Sequence, residues 1–390
     1  MRSTTCGPDV AALPLDGVRV VAFAETAPGP LAASVLADLG ADVIVVERPT
    51  VGDPARATAA VFLSLGRNKR FIAIDLKRPE GLEVAYRLIA SCDVVINAYR
   101  PQVSERLGLS VELLTRRFPD QIVVGLTGYG ENGPSADKAA HDLSLQASSG
   151  LLGAQVDVDS VPVVDMFTGL YCAVGVLAAL VGRASGNRPG SVLTSMQDCA
   201  YALNAFELTR AINLMPAEAG LRAPAGYGVF ETRDGRRLAL SVSFESVHWH
   251  ALCDVLGLRL LAGLSLEERI ADRDDLTARV AEVIRGNTAS ELDGALIRAG
   301  IPFEWVLDAA EVVKPWMGAE VSVGRARGEG LDRQHLRSPL LVDGRSLPIR
   351  REPGGVGADA AEILSELGFT ADDVRRLRRD GVLGAGRLDD

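Results

Sequence analysis

The chain has 390 residues, 47% hydrophobic and 24% charged, and its 41 Lys plus Arg against 51 Asp plus Glu leave a net charge of −10. That length and polarity fit a soluble globular protein of two domains, and the acidic balance speaks against general nucleic-acid binding, so an anionic ligand must meet a local basic cluster. The five cysteines are scattered without a C-x-x-C pair, which argues against a disulfide framework or a zinc site.

The N-terminal "MRSTTCGPDVAALPLDG" lacks the apolar centre of a signal peptide. With the scattered cysteines this leads to the expectation of a cytoplasmic protein, and the cysteine spacing to that of no bound metal. Strand and helix signals then alternate. "VRVVAFA" (residues 18–24) reads as a buried strand, "GPLAASVLADLG" as a helix ending at Gly40, and "ADVIVVE" and "RFIAIDL" as strands. "PEGLEVAYRLIASC" is a helix opened by Pro79, and "DVVINAY" and "QIVVGLTGY" are further strands. Short Val/Ile runs separated by helices predict an α/β domain, Rossmann-like, with a parallel sheet covered on both faces. The longest apolar run, "MFTGLYCAVGVLAALVG" (residues 166–182), reads as a buried core helix and not a membrane span, since small residues fill it and Asp165 and Arg183 flank it.

A smaller α+β domain follows. "YGVFET" and "RRLALSVS" flank Asp234-Gly235, a strong hairpin signal. Helical patterns run from "SVHWHALCDVLG" to "ASELDGALIRAG". The expected organisation is a large domain over residues 1–200, a linker at 201–221, the small domain at 222–323, and a segment at 324–390 returning to the large domain. Within that tail, Thr370-x-x-Asp373 predicts a helix start.

Glu47, closing the second strand, invites a dinucleotide reading in which the acid holds a ribose. The first strand-to-helix turn, however, is "AETAPGPLAAS", with one glycine between two prolines. The G-x-G-x-x-G loop is absent, and NAD binding is set aside.

Five ordered stretches carry a more specific signal: "LPLDGVRVVAFAETAPGPLAASVLADLGADVIVVERP", "GRNKRFIAIDLKRPEG", "NAYRPQVSERLGL", "LTGYGENGP" and "VVDMFTGLYCAVGVLAALVGR". Together they resemble the CaiB/BaiF-type CoA-transferases of family III, which include the α-methylacyl-CoA racemases, over essentially the whole chain. The resemblance implies a Rossmann-like large domain, a small domain on two linkers, and an interlocked homodimer. It also implies acyl-CoA and a carboxylic acid as substrates, with no tightly bound cofactor.

Coenzyme A is polyanionic, and "GRNKR" offers Arg67, Lys69 and Arg70, with Lys77 and Arg78 after the next strand. With Arg48, Arg100 and Arg106 these are the candidate phosphate holders. Ala27 and Pro28, in "APGP", match the family turn beside the CoA. Asp165 matches the family's nucleophilic aspartate. An Asp there also suits a helix N-cap, where backbone N–H groups and the helix dipole keep the carboxylate ionised.

His141-Asp142 occupies the place of the His-Asp pair of the racemase branch, where the resemblance implies that the His and the Asp before the long apolar helix, here Asp165, act as two bases on opposite faces of the α-carbon. The following "LQASSGLLG" resembles the transferase form, and the consecutive glycines that follow the catalytic Asp in racemases are missing. The glycine-run loop of formyl-CoA-type transferases is missing too. Glu245, in "SVSFES", falls near a small-domain acid that orients the racemase His. CoA transfer to a carboxylic acid through Asp165 is therefore the expected activity, with 2-methylacyl-CoA epimerisation as the alternative. His248 and His250 sit at i and i+2 and do not share a helix face, and Cys172, Cys199 and Cys253 read as core hydrophobes.

Overall fold

The computed structural model describes residues 12–152, 161–187, 190–216, 223–316, 323–325 (backbone) and 333–384. Cys6, Gly153, residues 217–221 of the expected linker and residue 222 of the expected small domain lie outside the described residues. The chain divides into two units, Met1–Ala205 with Glu320–Asp390, and Phe206–Ala319.

In the first unit the elements run β1 (Arg19–Phe23), α1 (Pro28–Asp38), β2 (Asp42–Glu47), α2 (Ala59–Gly66), β3 (Lys69–Ala73), α3 (Pro79–Ala90), β4 (Val94–Asn97), α4 (Pro101–Arg106), α5 (Val111–Arg117) and β5 (Ile122–Thr127). Then come α6 (Asp142–Ser148), α7 (Val163–Ala184), β6 (Ser191–Ser195) and α8 (Met196–Leu203). The sheet order is β3-β2-β1-β4-β5-β6, and every pairing is parallel. The winding reverses between β1 and β4, which opens a crevice beyond their carboxyl ends where ligands of such folds bind.

Strand alternation explains the two cores. Val20, Ala22, Val43, Val45, Val94 and Ile96 face α1 and α7, whereas Val21, Phe23, Ile44, Val46 and Val95 face the opposite core. The second core is closed by α3 and by the C-terminal α15 (Ala360–Glu366) and α16 (Ala371–Arg379). Asp359 Oδ2 accepts the Phe71 N–H at 2.7 Å and Gly384 donates to the Ala73 carbonyl at 3.0 Å, tying this segment to β3. Thr370 and Asp373 form the capping box that their spacing predicts.

The turn from β1 into α1 is tight. A Cβ on Gly29 would lie 2.5 Å from the Ala24 Cβ and 3.2 Å from that of Ala98, so only glycine lets α1 start this close to β1 and β4. Glu47, the acid behind the dinucleotide reading, is buried and bound bidentately by Arg56 at 2.7 and 2.9 Å. Its carboxylate is spent inside the fold.

One strand is unanticipated and two expectations change. β6 has no strong sequence signal: it is an edge strand with two apolar residues in five. The segment expected as a linker from residue 201 is largely helical, through the end of α8 and α9 (Ala205–Ile212). The apolar run expected to be a buried core helix buries only one face of α7. Val164, Thr168, Cys172 and Val176 are buried, while Leu170, Tyr171, Val174 and Val181 are exposed. By length and composition alone α7 is also apolar enough to cross a membrane.

The second unit holds a three-stranded antiparallel sheet of β7 (Tyr227–Glu231), β8 (Arg237–Ser241) and β9 (Phe303–Trp305). Helices α10 (Ser246–Val255), α11 (Leu266–Ala271), α12 (Arg273–Arg285), α13 (Ala289–Arg298) and α14 (Ala309–Val313) complete it, around buried Trp249, Leu240, Val280 and Leu296. The β7–β8 hairpin closes through Thr232 and Arg236, so Asp234-Gly235 belongs to a three-residue loop with Gly235 at φ 75°.

Candidate active site

Two adjoining cavities occupy the crevice at the carboxyl ends of β1 and β4, and both are lined by Glu25, Thr26, Ala98 and Arg100. The larger, about 650 Å³, is walled by Arg48, Lys77, Arg100 and Arg106, with Tyr99, Val51, Leu76 and Leu107 supplying apolar surface. Four cations around a partly apolar cavity suit a ligand with several phosphates and an uncharged arm. The smaller, about 280 Å³, brings together Pro28, Thr127, Lys138, His141 and Asp165. A separate cavity of about 640 Å³ beside α4, α5 and β6 contains none of the sequence-predicted residues.

Asp165 lies in the first turn of α7, but it does not cap that helix. Asp142, at the start of α6, accepts the Val164 N–H at 2.7 Å and the Asp165 N–H at 3.0 Å on Oδ1, and Gln146 donates to its Oδ2. The orphan donors of the α7 N-terminus are thus satisfied from 22 and 23 residues away. Among the described residues the Asp165 carboxylate receives no hydrogen bond, and it faces the cavity. The expectation that the helix end would hold it low is corrected. Burial, then the Asp142 charge, push its pKa up to about 6, with His141 pulling the other way.

His141 is the N-cap residue of α6, and its backbone is fixed by Ser144, whose Oγ accepts the His141 N–H at 3.2 Å and donates to its carbonyl at 2.7 Å. Its ring has no hydrogen-bond partner among the described residues and lines the same cavity as Asp165.

Residues 15–360 match the profile of CoA-transferase family III. The chain belongs to that family. It is 30% identical to a succinate–glutarate CoA-transferase of Agrobacterium fabrum over 91% of this chain and 96% of that protein. It is 29% identical to the α-methylacyl-CoA racemase of Homo sapiens, over 96% of this chain and 98% of the racemase. A crystal structure of Rv3272 from Mycobacterium tuberculosis superposes with a TM-score of 0.79 at 30% identity, over 90% of this chain and 99% of that one. The comparisons therefore reach both branches of the family, and both branches are enzymes.

In this family III chain the structure assembles Arg48, Arg100, Arg106, Pro28, His141 and Asp165 in the two cavities, and Ala27 lies between their lining residues Thr26 and Pro28. It does not bring Arg67, Lys69 or Arg70 there, which corrects the reading of "GRNKR" as a phosphate cluster. Arg67 pairs with buried Asp38 at 2.6 Å. Arg70 is held between Asp42 at 2.6 Å and Glu366 at 2.7 Å. Lys69 is fully enclosed and donates to the carbonyls of Pro30 and Leu65, both at 2.6 Å, and burial pulls its ammonium down to about 7. Arg67 ends α2 and Lys69 and Arg70 open strand β3, and all three side chains meet internal partners.

Glu245 lies in the second unit as the N-cap residue of α10, 3.9 Å from Nδ1 of His248. His250 approaches Asp254 at 3.7 Å. Cys172 and Cys253 are buried, and burial pushes their thiols up to about 12 and about 11, which suits packing and not nucleophilic attack.

Sequence reasoning missed Lys138, Tyr99, Glu25 and Thr26. Lys138 had a legible signal, a lone cation three residues before His141. Glu25 sits between Arg48, at 2.8 Å, and the cavities, and burial raises its pKa against that pairing.

Proposed function

We propose that this chain transfers coenzyme A from an acyl-CoA to a carboxylic acid through Asp165. The observation that carries the reading is the Asp165 carboxylate, which accepts no hydrogen bond among the described residues while Asp142 caps its helix, in a cavity that opens beside four cations. Arg48, Lys77, Arg100 and Arg106 hold the phosphates of CoA, and the pantetheine arm carries the thioester toward Asp165.

An Asp165 oxygen attacks the thioester carbonyl and expels the CoA thiolate, leaving a mixed acyl–aspartyl anhydride. The thiolate then attacks the aspartyl carbonyl, releasing the donor acid and forming an aspartyl–CoA thioester. The acceptor carboxylate attacks that thioester and again expels thiolate, and the thiolate takes the acceptor acyl group, restoring Asp165. A carboxylate nucleophile suits this sequence because every intermediate keeps an activated acyl bond. Lys138, Arg100 and the imidazole of His141 line the cavity in which the oxyanions develop. No metal and no tightly held cofactor enters these steps.

The racemase reading is favoured by one observation: His141 and Asp165 line a single cavity, as two bases around one α-carbon require. Supplying several acyl-CoA donors with a panel of carboxylic acids, and identifying new CoA esters by mass, separates the readings. The exposed apolar face of α7 supports a homodimer in which a second copy of the chain would cover it.

A further inference from the structure

Thr26 is a β-branched residue at φ 70°, a left-handed conformation that such a side chain adopts only when its surroundings impose it. It stands in the wall of both cavities. We propose that Asp53 is the positioning residue that imposes this conformation, and with it the shape of the turn separating the CoA cavity from the Asp165 cavity.

Asp53 is buried, and its Oδ1 and Oδ2 lie 3.0 and 3.2 Å from the Thr26 nitrogen, whose N–H they accept. Oδ1 also accepts the Ala55 N–H at 2.8 Å, so one carboxylate both opens the short helical turn at residues 54–57 and grips the β1–α1 turn. Asp53 is itself anchored: its N–H donates to Glu47 Oε1 at 3.1 Å. Glu47 is neutralised by Arg56, which donates to the Gly354 carbonyl at 3.0 Å and lies over the Phe62 ring at 4.0 Å. The relay Thr26–Asp53–Glu47–Arg56 thus fastens a strained surface turn to β2 and to the C-terminal segment. Neither Glu47 nor Asp53 needs to touch the reacting atoms. Their effect passes through the Thr26 backbone to Glu25, Thr26 and Pro28, which face the ligand space. This inference rests on the reading of the larger cavity as the CoA site.

The test compares Asp53→Ala, Asp53→Asn, Thr26→Gly and the double variant Thr26→Gly/Asp53→Ala in the full chain. Two readouts are used: KM and kcat with an acyl-CoA, and hydrogen exchange of residues 23–30 in the free protein. Asp53→Ala is expected to raise KM roughly tenfold or more, because a small misplacement of a binding wall is costly. It also loses exchange protection at the turn. Asp53→Asn keeps Oδ1 as acceptor and stays near wild type. Glycine adopts φ 70° without help, so Thr26→Gly in the Asp53→Ala background brings KM most of the way back. A merely structural Asp53 gives no such rescue. If Asp53→Ala does not fold, Asp53→Ser replaces it, since a short hydroxyl still caps residue 55 but falls short of Thr26. Unchanged exchange at residues 23–30, or a double variant no better than Asp53→Ala, overturns the proposal. Failure of the wild type to bind CoA overturns the functional reading instead, and the exchange readout still decides the positioning role.

Discussion

Asp142 Oδ1 accepts the backbone N–H of Asp165 at 3.0 Å, so one carboxylate caps the helix that carries the other. The arrangement frees Asp165 from capping and places a like charge beside it. Asp142→Asn keeps an acceptor for the cap and removes the charge, so the Asp165 pKa falls from about 6 and the acid limb of the pH–rate profile moves to lower pH. Asp142→Ala leaves the Val164 and Asp165 donors unmet, which costs about 1 kcal/mol of stability and lowers activity. Profiles of kcat/KM against pH for the two variants check both outcomes.

Asp165 carries a stability cost. Its folded pKa, about 6, exceeds its ordinary value of 3.8, so between those values the folded state binds more proton than the unfolded state. Stability therefore falls as pH rises from about 4 to about 6 and stays lower above that. Asp165→Asn is expected to be inactive yet more stable than wild type at pH 8, by about 1–2 kcal/mol once solvent screening is allowed for. At pH 4 the gain disappears. Denaturant titrations at the two pH values measure it.

The basic residues divide into two classes with opposite signatures. Lys77→Ala and Arg106→Ala, in the wall of the larger cavity, raise KM for an acyl-CoA roughly five- to tenfold, more at low salt, and leave folding intact. Arg67→Ala strips buried Asp38 of its counter-charge and costs about 3 kcal/mol or more, with little change in KM for the molecules that remain folded. Thermal melts alongside steady-state kinetics separate the classes.

The sheet was legible because its Val/Ile runs are long and buried on both faces, and the site because Asp165 and His141 sit inside recognisable stretches. The "GRNKR" cluster misled for a physical reason. Composition shows where cations are dense, but not that Asp38, Asp42 and Glu366 come from distant segments to neutralise them. Asp142's role as the α7 cap was equally hidden, since no local pattern links residue 142 to residue 165. Thr26 gave no sign at all, because a strained φ at a threonine is imposed by Asp53 across 27 residues.

The exposed face of α7 makes its own prediction. Val174 is 58% exposed among Leu170, Tyr171 and Val181, a run of apolar surface that water disfavours. Val174→Lys is expected to shift the protein from dimer to monomer in light scattering. A wild type that is monomeric at micromolar concentration refutes the homodimer.

The nucleophilic role of Asp165 is tested most directly by the mass of the intact protein, acid-quenched after incubation with acyl-CoA donors in deuterated water. The account predicts a covalent adduct of CoA less one water, mapped to the peptide containing Asp165 and absent in Asp165→Ala. No adduct with any donor, together with deuterium entering the α-carbon of a 2-methylacyl-CoA without an acceptor acid, would contradict it and establish the two-base exchange in its place.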